Sequence, residues 1–217
     1  MVKTGSLTSS GMTQELLPPL ITKKALISAV KNMTSYEGQI NTMQLLNEIK
    51  PAVIGLGYVG LPLAIAISKK YSVTCFDINQ QRISELKQKV DITGEVTNEE
   101  LCENANCNFV SDENALSDCN FYILTVPTPI DAANNPDLSV LDNATKLLSK
   151  YIKFGDFIIY ESTVYPGVTE DFCSQILELE TGLKLNKDFF LGYSPERINP
   201  GDREHKVQDI LKVTSGS

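Results

Sequence analysis

Two short stretches of the sequence contain residue types and spacings that could bind or transform a small molecule. The first is the hexapeptide GLGYVG at 55–60, which fits the glycine pattern G-x-G-x-x-G. The second is the decapeptide YSPERINPGD at 193–202, in which Glu196 and Arg197 are adjacent and follow a proline. Glycines at this spacing let backbone N–H groups approach a phosphate, and an adjacent carboxylate and guanidinium can contact two different groups of one ligand.

The context of the glycine hexapeptide favours the binding of a dinucleotide diphosphate. An apolar run at 52–54 precedes it, and a helical pattern at 59–70 follows. Gly55 would permit the tight turn, Gly57 would let the backbone approach a diphosphate, and Gly60 would allow close helix–sheet packing. The start of the helix would add N–H donors and a partial positive charge. The alternative is an ordinary turn between a strand and a helix.

An acidic residue at the end of the next predicted strand strengthens this interpretation. Asp77 closes the strand predicted at 72–76 and lies 20 residues after Gly57. A carboxylate there can accept hydrogen bonds from an adenosine ribose and repel a 2′-phosphate, so the pattern favours NAD over NADP. Arg82 leaves an alternative open, because a nearby arginine can bind a 2′-phosphate. It can equally stack on adenine or contact the ribose while Asp77 sets the preference.

Polar residues follow three further predicted strands, at the carboxyl ends where ligands bind in open α/β sheets. We expect Thr128 to offer its hydroxyl to a ribose or a diphosphate. Ser162 and Thr163 follow the next strand, at the edge expected to face a nicotinamide. After the last strand, Glu196 could meet a hydroxyl or water, and Arg197 a phosphate or carboxylate. The respective alternatives are a rigid proline loop, a helix cap and a solvated charged turn.

These residues need a fold that brings several strand ends to one edge. Short apolar runs alternate with helical patterns along the chain. This alternation predicts an α/β fold of the Rossmann type, with a doubly wound, mainly parallel sheet covered by helices on both faces. The predicted strands lie at 52–54, 72–76, 108–110, 121–126, 156–160 and 189–192. The predicted helices lie at 59–70, 80–89, 99–104, 139–151 and 168–179.

The first part of the chain lacks this alternation. Residues 1–42 are rich in Ser, Thr, Lys and Met, and they contain two consecutive prolines. We expect them to form an N-terminal extension that is partly disordered. Residues 43–217 are then expected to form one Rossmann domain.

Composition excludes several classes of partner. The chain has 217 residues and a formal net charge of −8, which argues against nucleic acid and anionic membranes as partners. No apolar run reaches the length of about 18 residues that a membrane span needs, and the N-terminus does not resemble a signal peptide. The five cysteines form no metal-binding pattern, and the single histidine, His205, has no neighbouring nucleophile. We expect a cytoplasmic protein without a metal site.

Six stretches stand out along the chain: VIGLGYVGLPLA (53–64), FDINQQRI (76–83), TVPTPID (125–131), YESTVYPGVTE (160–170), GYSPERINPGD (192–202) and VTSGS (213–217). Together these six stretches resemble the UDP-sugar 6-dehydrogenase family, whose members oxidise a sugar C6 alcohol to a carboxylate with two NAD. The PTPI and ERINPG pieces are similar to the branch that acts on UDP-N-acetylhexosamines, such as the UDP-N-acetylglucosamine dehydrogenases of Vi-type polysaccharide synthesis. The resemblance implies a role in making capsule or O-antigen polysaccharide.

The resemblance also implies roles for individual residues. Glu196 matches the family's acid/base carboxylate, which assists hydrolysis of a thioester intermediate, and Thr163 is a second catalytic candidate. The loop that meets the UDP-sugar corresponds to Glu196, Arg197, Ile198 and Asn199. Beside the three glycines, the positions that align with cofactor contacts are Tyr58, Val59, Asp77, Arg82, Thr128 and Thr163.

The chain departs from the family at both ends. About 50 residues precede the first predicted strand, whereas the family usually begins close to it. The family continues beyond the position of Ser217 with a central helix, its nucleophilic cysteine and a second nucleotide-binding domain, and none of the five cysteines here matches that nucleophile. We therefore expect this chain to bind NAD without turnover, and the full-length parent to be a homo-oligomer. The alternative is a non-catalytic NAD-binding module, or a subunit completed by a partner chain.

Overall fold

The computed structural model describes residues 49–103, 106–195 and 215–216. The strands are β1 (Pro51–Ile54), β2 (Val73–Phe76), β3 (Cys107–Val110), β4 (Phe121–Leu124), β5 (Asp156–Tyr160), β6 (Phe189–Tyr193) and β7 (Ser215–Gly216). The α-helices are α1 (Gly60–Ser68), α2 (Gln80–Lys87), α3 (Asn98–Glu103), α4 (Ser139–Ser149) and α5 (Ser174–Thr181). A 3₁₀ turn covers Glu113–Leu116, and a π-helical segment covers Val168–Cys173.

The seven strands form one sheet in the order β3-β2-β1-β4-β5-β6-β7. Strands β1 to β6 are parallel, and the short β7 pairs antiparallel with the end of β6. The chain builds outward from β1 to β3 and then returns to the other side of β1 with β4. This reversal confirms the predicted doubly wound sheet, and it places the topological switch point between β1 and β4.

The sheet separates two hydrophobic cores. In β1, Val53 belongs to one core, whereas Ala52 and Ile54 belong to the other, because side chains alternate along a strand. Helices α1, α2 and α3 contribute to the first core, and α4 and α5 contribute to the second. Both faces of the sheet are therefore covered, which explains why most of the central strand residues are apolar.

A buried polar contact fixes the carboxyl end of β5. The hydroxyls of Tyr160 and Thr145 lie 3.1 Å apart and hydrogen-bond beneath α4. Burial, followed by the charge of neighbouring Cys173, raises the pKa of Tyr160 well above its ordinary value, so the phenol stays neutral. The contact holds α4 against β5, whose last residue leads into the segment that carries Ser162 and Thr163.

The predicted helices and strands agree with the structure, with two main corrections. The strand predicted at 121–126 ends at Leu124, before the two prolines of the following loop. The helix predicted at 168–179 begins as a π-helical segment and becomes α-helical only at Ser174. Gly167 starts this segment in a left-handed conformation with φ of 94°. Apolar spacing does not distinguish π-helical from α-helical hydrogen bonding, which explains the second correction.

Candidate functional site

The glycine turn lies at the carboxyl end of β1, at the switch point of the sheet. Gly55 has φ of +93°, in the region that favours glycine, and its N–H donates to Phe76 O at 2.9 Å. The hydroxyl of Thr125 donates to the carbonyl oxygen of Gly55 at 2.6 Å. The turn is thus tied to β2 on one side and to the end of β4 on the other.

The other two glycines of the turn have different surroundings. A side chain at Gly60 would overlap the carbonyl oxygen of Gly55 and the hydroxyl of Thr125, so α1 packs against the turn only because Gly60 has no Cβ. A Cβ built on Gly57 would meet no atom within 4 Å. The backbone at Gly57 therefore faces open space at the start of α1, where unpaired N–H groups favour an anion.

Tyr58 and Val59, the two cofactor-contact candidates between Gly57 and Gly60, differ in solvent exposure. The side chain of Tyr58 is 44% exposed, whereas Val59 is buried. Tyr58 can therefore present its ring to a ligand, but Val59 has only its backbone to offer. The binding roles of both residues remain predictions.

Asp77 directly follows β2, and its side chain holds the glycine turn by a hydrogen bond. One carboxylate oxygen, Oδ2, accepts a hydrogen bond from Leu56 N at 2.8 Å, and Oδ1 accepts one from Asn79 N at 2.9 Å. Each oxygen has a further lone pair, so the carboxylate retains acceptor capacity for a ribose hydroxyl. The role expected for Asp77 is compatible with this geometry.

Arg82 lies in the first turn of α2 and is 6% exposed. Its Nε donates to Leu56 O at 2.8 Å, and its Nη2 lies 2.7 Å from Asp91 Oδ1. The second contact is a close ion pair, although its alignment falls short of a directional hydrogen bond. Nη1 is buried and has no hydrogen-bond partner among the described residues. The side chain is therefore built into the wall of the site, and Nη1 is the guanidinium nitrogen for which no contact is seen among the described residues.

Asp91 forms the ion pair with Arg82, and the sequence interpretation did not indicate it. Its side chain is fully excluded from solvent, and it accepts hydrogen bonds from the hydroxyl of Thr93 and the N–H groups of Glu95 and Val96. Burial raises the pKa of Asp91, but the contacts with Thr93, Arg82 and the backbone outweigh burial and lower it overall. The Asp-x-Thr spacing, typical of a side chain that organises a turn, could have indicated an ordered loop but not its partner.

The glycine turn, Asp77 and Arg82 help to line a cleft of about 310 Å³. That volume is at the lower end of the range for small-molecule sites. Ile92, which is 68% exposed, gives the cleft an apolar wall. The other lining residues are Leu56, Gly57, Asp77, Asn79, Gln81, Arg82, Glu85 and Thr93.

The loops after β4 and β5 are joined by side-chain hydrogen bonds. Thr128 Oγ1 donates to Thr163 O at 2.6 Å, and Ser162 Oγ donates to Val126 O at 2.6 Å. The Thr128 hydroxyl has one proton, and Thr163 O receives it in the structure. The ligand contact expected at Thr128 stays a prediction. Its oxygen can still accept a hydrogen bond. The side chain of Ser162 is buried, and that of Thr163 is exposed.

The segment after β6 is described only at its start. Ser194 N donates to Tyr160 O at 3.0 Å, so the chain leaves the sheet beside the end of β5. The remaining site candidates lie outside the described residues, and their roles stay predictions. They are Glu196, Arg197, Ile198 and Asn199.

Comparison with known proteins identifies the family. A model of the UDP-glucose/GDP-mannose dehydrogenase family, NAD binding domain, matches residues 49–216. The chain belongs to this family. The resemblance seen in the six sequence stretches is thereby confirmed, and the predicted cofactor, NAD, is the one that the family domain binds.

Two curated relatives in this family match over the same length. A UDP-N-acetyl-D-glucosamine 6-dehydrogenase of Pseudomonas aeruginosa is 55% identical over 172 residues, which are 79% of this chain and 41% of the relative. A second, from Salmonella typhi, is 51% identical over 172 residues, which are 79% of this chain and 40% of the relative. The chain thus spans about two fifths of the length of these relatives.

A solved structure in the family supports the fold. The UDP-D-ManNAc dehydrogenase from Pyrococcus horikoshii is 34% identical and superposes with a TM-score of 0.65. The superposition covers 70% of this chain and 37% of that chain. The family fold therefore agrees with the sheet described here.

The described residues fit NAD on two observations that are independent of family membership. The open space at Gly57 gives a diphosphate access to the backbone at the start of α1. Arg82 and Asp77 both line the cleft, and the buried Arg82 Nη1 has no hydrogen-bond partner among the described residues. A guanidinium donor and a carboxylate acceptor in one cleft can engage a ribose. Within the described part of the chain, no group of three or more His, Cys, Asp or Glu side chains could hold a metal ion. No helix in that part is long and apolar enough to span a membrane.

Proposed function

We propose that this chain is the NAD-binding part of a UDP-N-acetylhexosamine 6-dehydrogenase that supplies uronic acids for capsule or O-antigen polysaccharide. The main support is the 55% identity to a UDP-N-acetyl-D-glucosamine 6-dehydrogenase, over 79% of this chain. The substrate class is a UDP-N-acetylhexosamine such as UDP-GlcNAc or UDP-GalNAc. Because the chain spans about two fifths of that relative, the complete reaction requires residues beyond those present here.

The glycine turn and the cleft bind the adenosine diphosphate half of the cofactor in this proposal. The N-terminus of α1 receives the diphosphate at Gly57, because nothing occupies the space beside its Cα. Asp77 accepts a hydrogen bond from the ribose while it also holds Leu56 N. Ile92 packs against the adenine, since it is the exposed apolar residue of the cleft.

The nicotinamide half extends towards the loops after β4 and β5. Bound NAD supplies the hydride acceptor for alcohol oxidation. Thr128 accepts a hydrogen bond from the cofactor, because its own proton is held by Thr163 O. Thr163 is exposed next to this contact, and it orients the nicotinamide. Glu196 acts as the acid/base carboxylate, and Arg197, Ile198 and Asn199 bind the UDP-sugar.

A second candidate function follows from the fraction of each relative that is matched. A chain that spans 41% of its relative could be a non-catalytic NAD-binding module, or a subunit completed by a partner chain. In either case the cleft binds NAD in the same way. A coding sequence for the remaining part of the family next to this one would favour the completed subunit.

Two measurements on the purified chain test the proposal. NADH should bind with a dissociation constant at least about tenfold below that of NADPH, because Asp77 repels a 2′-phosphate. Incubation with NAD and UDP-N-acetylglucosamine should produce no NADH above a protein-free control. Equal binding of the two dinucleotides contradicts the cofactor assignment, and steady NADH production contradicts the proposal that the isolated chain lacks turnover.

The cellular setting is part of the same proposal. We place the protein in the cytoplasm, because all five cysteines are free thiols in the structure. The net charge of −8 makes nucleic acid and anionic membranes poor partners. The full-length parent forms a homo-oligomer, which analytical ultracentrifugation of that parent would test.

A further inference from the structure

The cleft carries an unusual balance of charge around Arg82. Among the described residues that line the cleft, Arg82 is the one cation, and Asp77 and Glu85 are carboxylates. Asp91 adds a third carboxylate, 2.7 Å from Arg82 Nη2. One positive charge therefore lies among three negative charges, and the closest of these is not itself a lining residue.

We propose that Asp91 is a positioning residue that sets the cofactor selectivity of the cleft through Arg82. It holds the guanidinium in one orientation and neutralises its charge, so that the cleft takes an adenosine ribose with free hydroxyls and rejects one with a 2′-phosphate. This inference rests on the proposed function, because it assumes that the cleft binds the adenosine half of the dinucleotide.

The geometry explains how the guanidinium is kept in place. Nε is held by Leu56 O at 2.8 Å, and Nη2 is held by Asp91. Asp91 cannot follow Arg82 outward, because its carboxylate is fixed by Glu95 N and Val96 N, each at 3.0 Å. Nε is therefore occupied by a hydrogen bond and Nη2 by an ion pair, and Nη1 alone has neither kind of partner among the described residues.

The occupied nitrogens discriminate between a hydroxyl and a phosphate. One donor nitrogen and the nearby Asp77 carboxylate suit a ribose hydroxyl, which both accepts and donates a hydrogen bond. A 2′-phosphate brings a charge of about −1.5 to −2 at neutral pH, and its oxygens prefer the two-nitrogen fork of an arginine. Asp91 occupies one nitrogen of that fork and neutralises the positive charge of Arg82. A 2′-phosphate would then be repelled by Asp77 and Glu85, with no free positive charge in the cleft to offset the repulsion.

Dinucleotide titrations of four proteins test this proposal. They are the unchanged chain, Asp91→Asn, Arg82→Gln and the double variant, each titrated with NADH and with NADPH by nicotinamide fluorescence. In Asp91→Asn the ratio of the NADPH to the NADH dissociation constant should fall by about tenfold, because a charge-assisted contact to the phosphate becomes available. In the Arg82→Gln background, Asp91→Asn should leave that ratio unchanged, since Asp91 acts through Arg82.

Thr93→Val provides a matched control for the loop. This change removes the hydroxyl that donates to Asp91 at 2.7 Å, but it keeps the charges of Asp91 and Arg82. Loosening of the loop alone should weaken NADH and NADPH binding by the same factor. If Asp91→Asn behaves like Thr93→Val, or changes the ratio equally with and without Arg82, the proposal is wrong.

Two further results separate the proposal from its premise. If Asp91→Asn does not fold, Asp91→Ser replaces it, because a serine hydroxyl can still accept from the loop amides while the charge is absent. The same fall in the ratio is then expected, and an unchanged ratio overturns the proposal. If the unchanged chain binds neither dinucleotide, the proposed NAD site fails, and the selectivity role of Asp91 fails with it. Normal NADH binding with an unchanged ratio in the variants refutes the role of Asp91 alone.

Discussion

At the scale of single residues, the peptide groups of Leu56 are held from both sides. Its N–H donates to Asp77, and its carbonyl oxygen accepts from Arg82. The backbone between the first two glycines is therefore positioned by side chains from the end of β2 and from α2. Glycine conformations usually shape a turn of this kind, but here two charged side chains also fix its central peptide groups.

The different surroundings of two glycines give a prediction. Gly60→Ala should destabilise the fold by about 3 kcal/mol, because the new methyl would overlap the carbonyl oxygen of Gly55 and the hydroxyl of Thr125. Urea unfolding followed by circular dichroism measures this change in free energy. A loss below 1 kcal/mol would show that the turn can relax more easily than its packing indicates.

Gly57→Ala is the matched control for that substitution. It should leave the free energy of unfolding nearly unchanged, because no atom lies within 4 Å of the added methyl. It should nevertheless raise the NADH dissociation constant by at least about tenfold, which corresponds to about 1.4 kcal/mol. The methyl occupies the space through which a diphosphate reaches the backbone. Unchanged NADH affinity would place the diphosphate elsewhere.

Sequence reasoning singled out site candidates that stand in local patterns, and it did not single out Asp91. The glycine spacing and Asp77 lie at fixed distances from a strand, so they could be identified from the sequence. Asp91 contacts Arg82 across a loop of irregular conformation, and no periodicity encodes that pairing. For Thr128, the sequence indicated a hydroxyl at the correct edge but could not reveal that a neighbouring carbonyl receives its proton.

At the scale of secondary structure, α2 is the element that connects the glycine turn to the loop of Asp91. The helix has eight residues and begins after Asn79, whose side-chain oxygen accepts from Gln81 N at 3.0 Å and Arg82 N at 3.2 Å. The cap thus fixes the backbone of the residue whose guanidinium holds Leu56. A short helix gains little stability from its own hydrogen bonds, so its start depends on such a cap.

This capping contact predicts a graded response to substitution. Asn79→Ala should lower the free energy of unfolding by about 1 kcal/mol and weaken NADH binding, because α2 and Arg82 lose their anchor. Asn79→Ser should keep most of the free energy of unfolding and most of the NADH affinity, since serine is also a good N-cap residue. Urea unfolding and NADH titration of the two variants check this. Equal losses in alanine and serine would mean that the cap is not the cause.

Secondary structure was predictable where hydrophobic period and sequence breakers agree. Strands β1, β2, β4, β5 and β6 are mainly apolar runs, and a Gly, Asp, Pro or Ser follows each of them within three residues. The observed bounds differ by few residues from those expected. The π-helical segment could not be predicted, because it differs from an α-helix in hydrogen bonding rather than in apolar spacing. Strand β7 has two residues, too few for any pattern to appear.

At the scale of the whole molecule, the sheet separates the two cores. We therefore expect substitutions in the two cores to affect the free energy of unfolding independently. Ile67 of α1 and Ile158 of β5 are buried on opposite faces. The overall fold could be predicted because alternating strands and helices allow few topologies, and right-handed crossovers restrict them further. The relation of the site to a substrate could not be predicted in the same way, since it depends on loop positions that no repeat encodes.

The separation of the cores predicts additive losses of stability. Ile67→Val and Ile158→Val should each lower the free energy of unfolding by about 1 kcal/mol, the usual cost of one buried methylene. The double variant should lose the sum to within about 0.5 kcal/mol, because distant sites without shared partners do not couple. Urea unfolding of the three variants measures this. A larger coupling would show that strain passes through the sheet.

The contacts of Asp77 and Arg82 with the peptide groups of Leu56 also bear on protein engineering. Asp77, Arg82 and Asp91 all follow the glycine turn within one uninterrupted stretch of chain, and none of their hydrogen bonds described here reaches the strands beyond β3. The cofactor preference proposed for this stretch is therefore expected to be exchangeable as a single gene cassette. Recombination between relatives could therefore alter the nucleotide requirement of the domain while leaving the loops after β4 and β5 untouched.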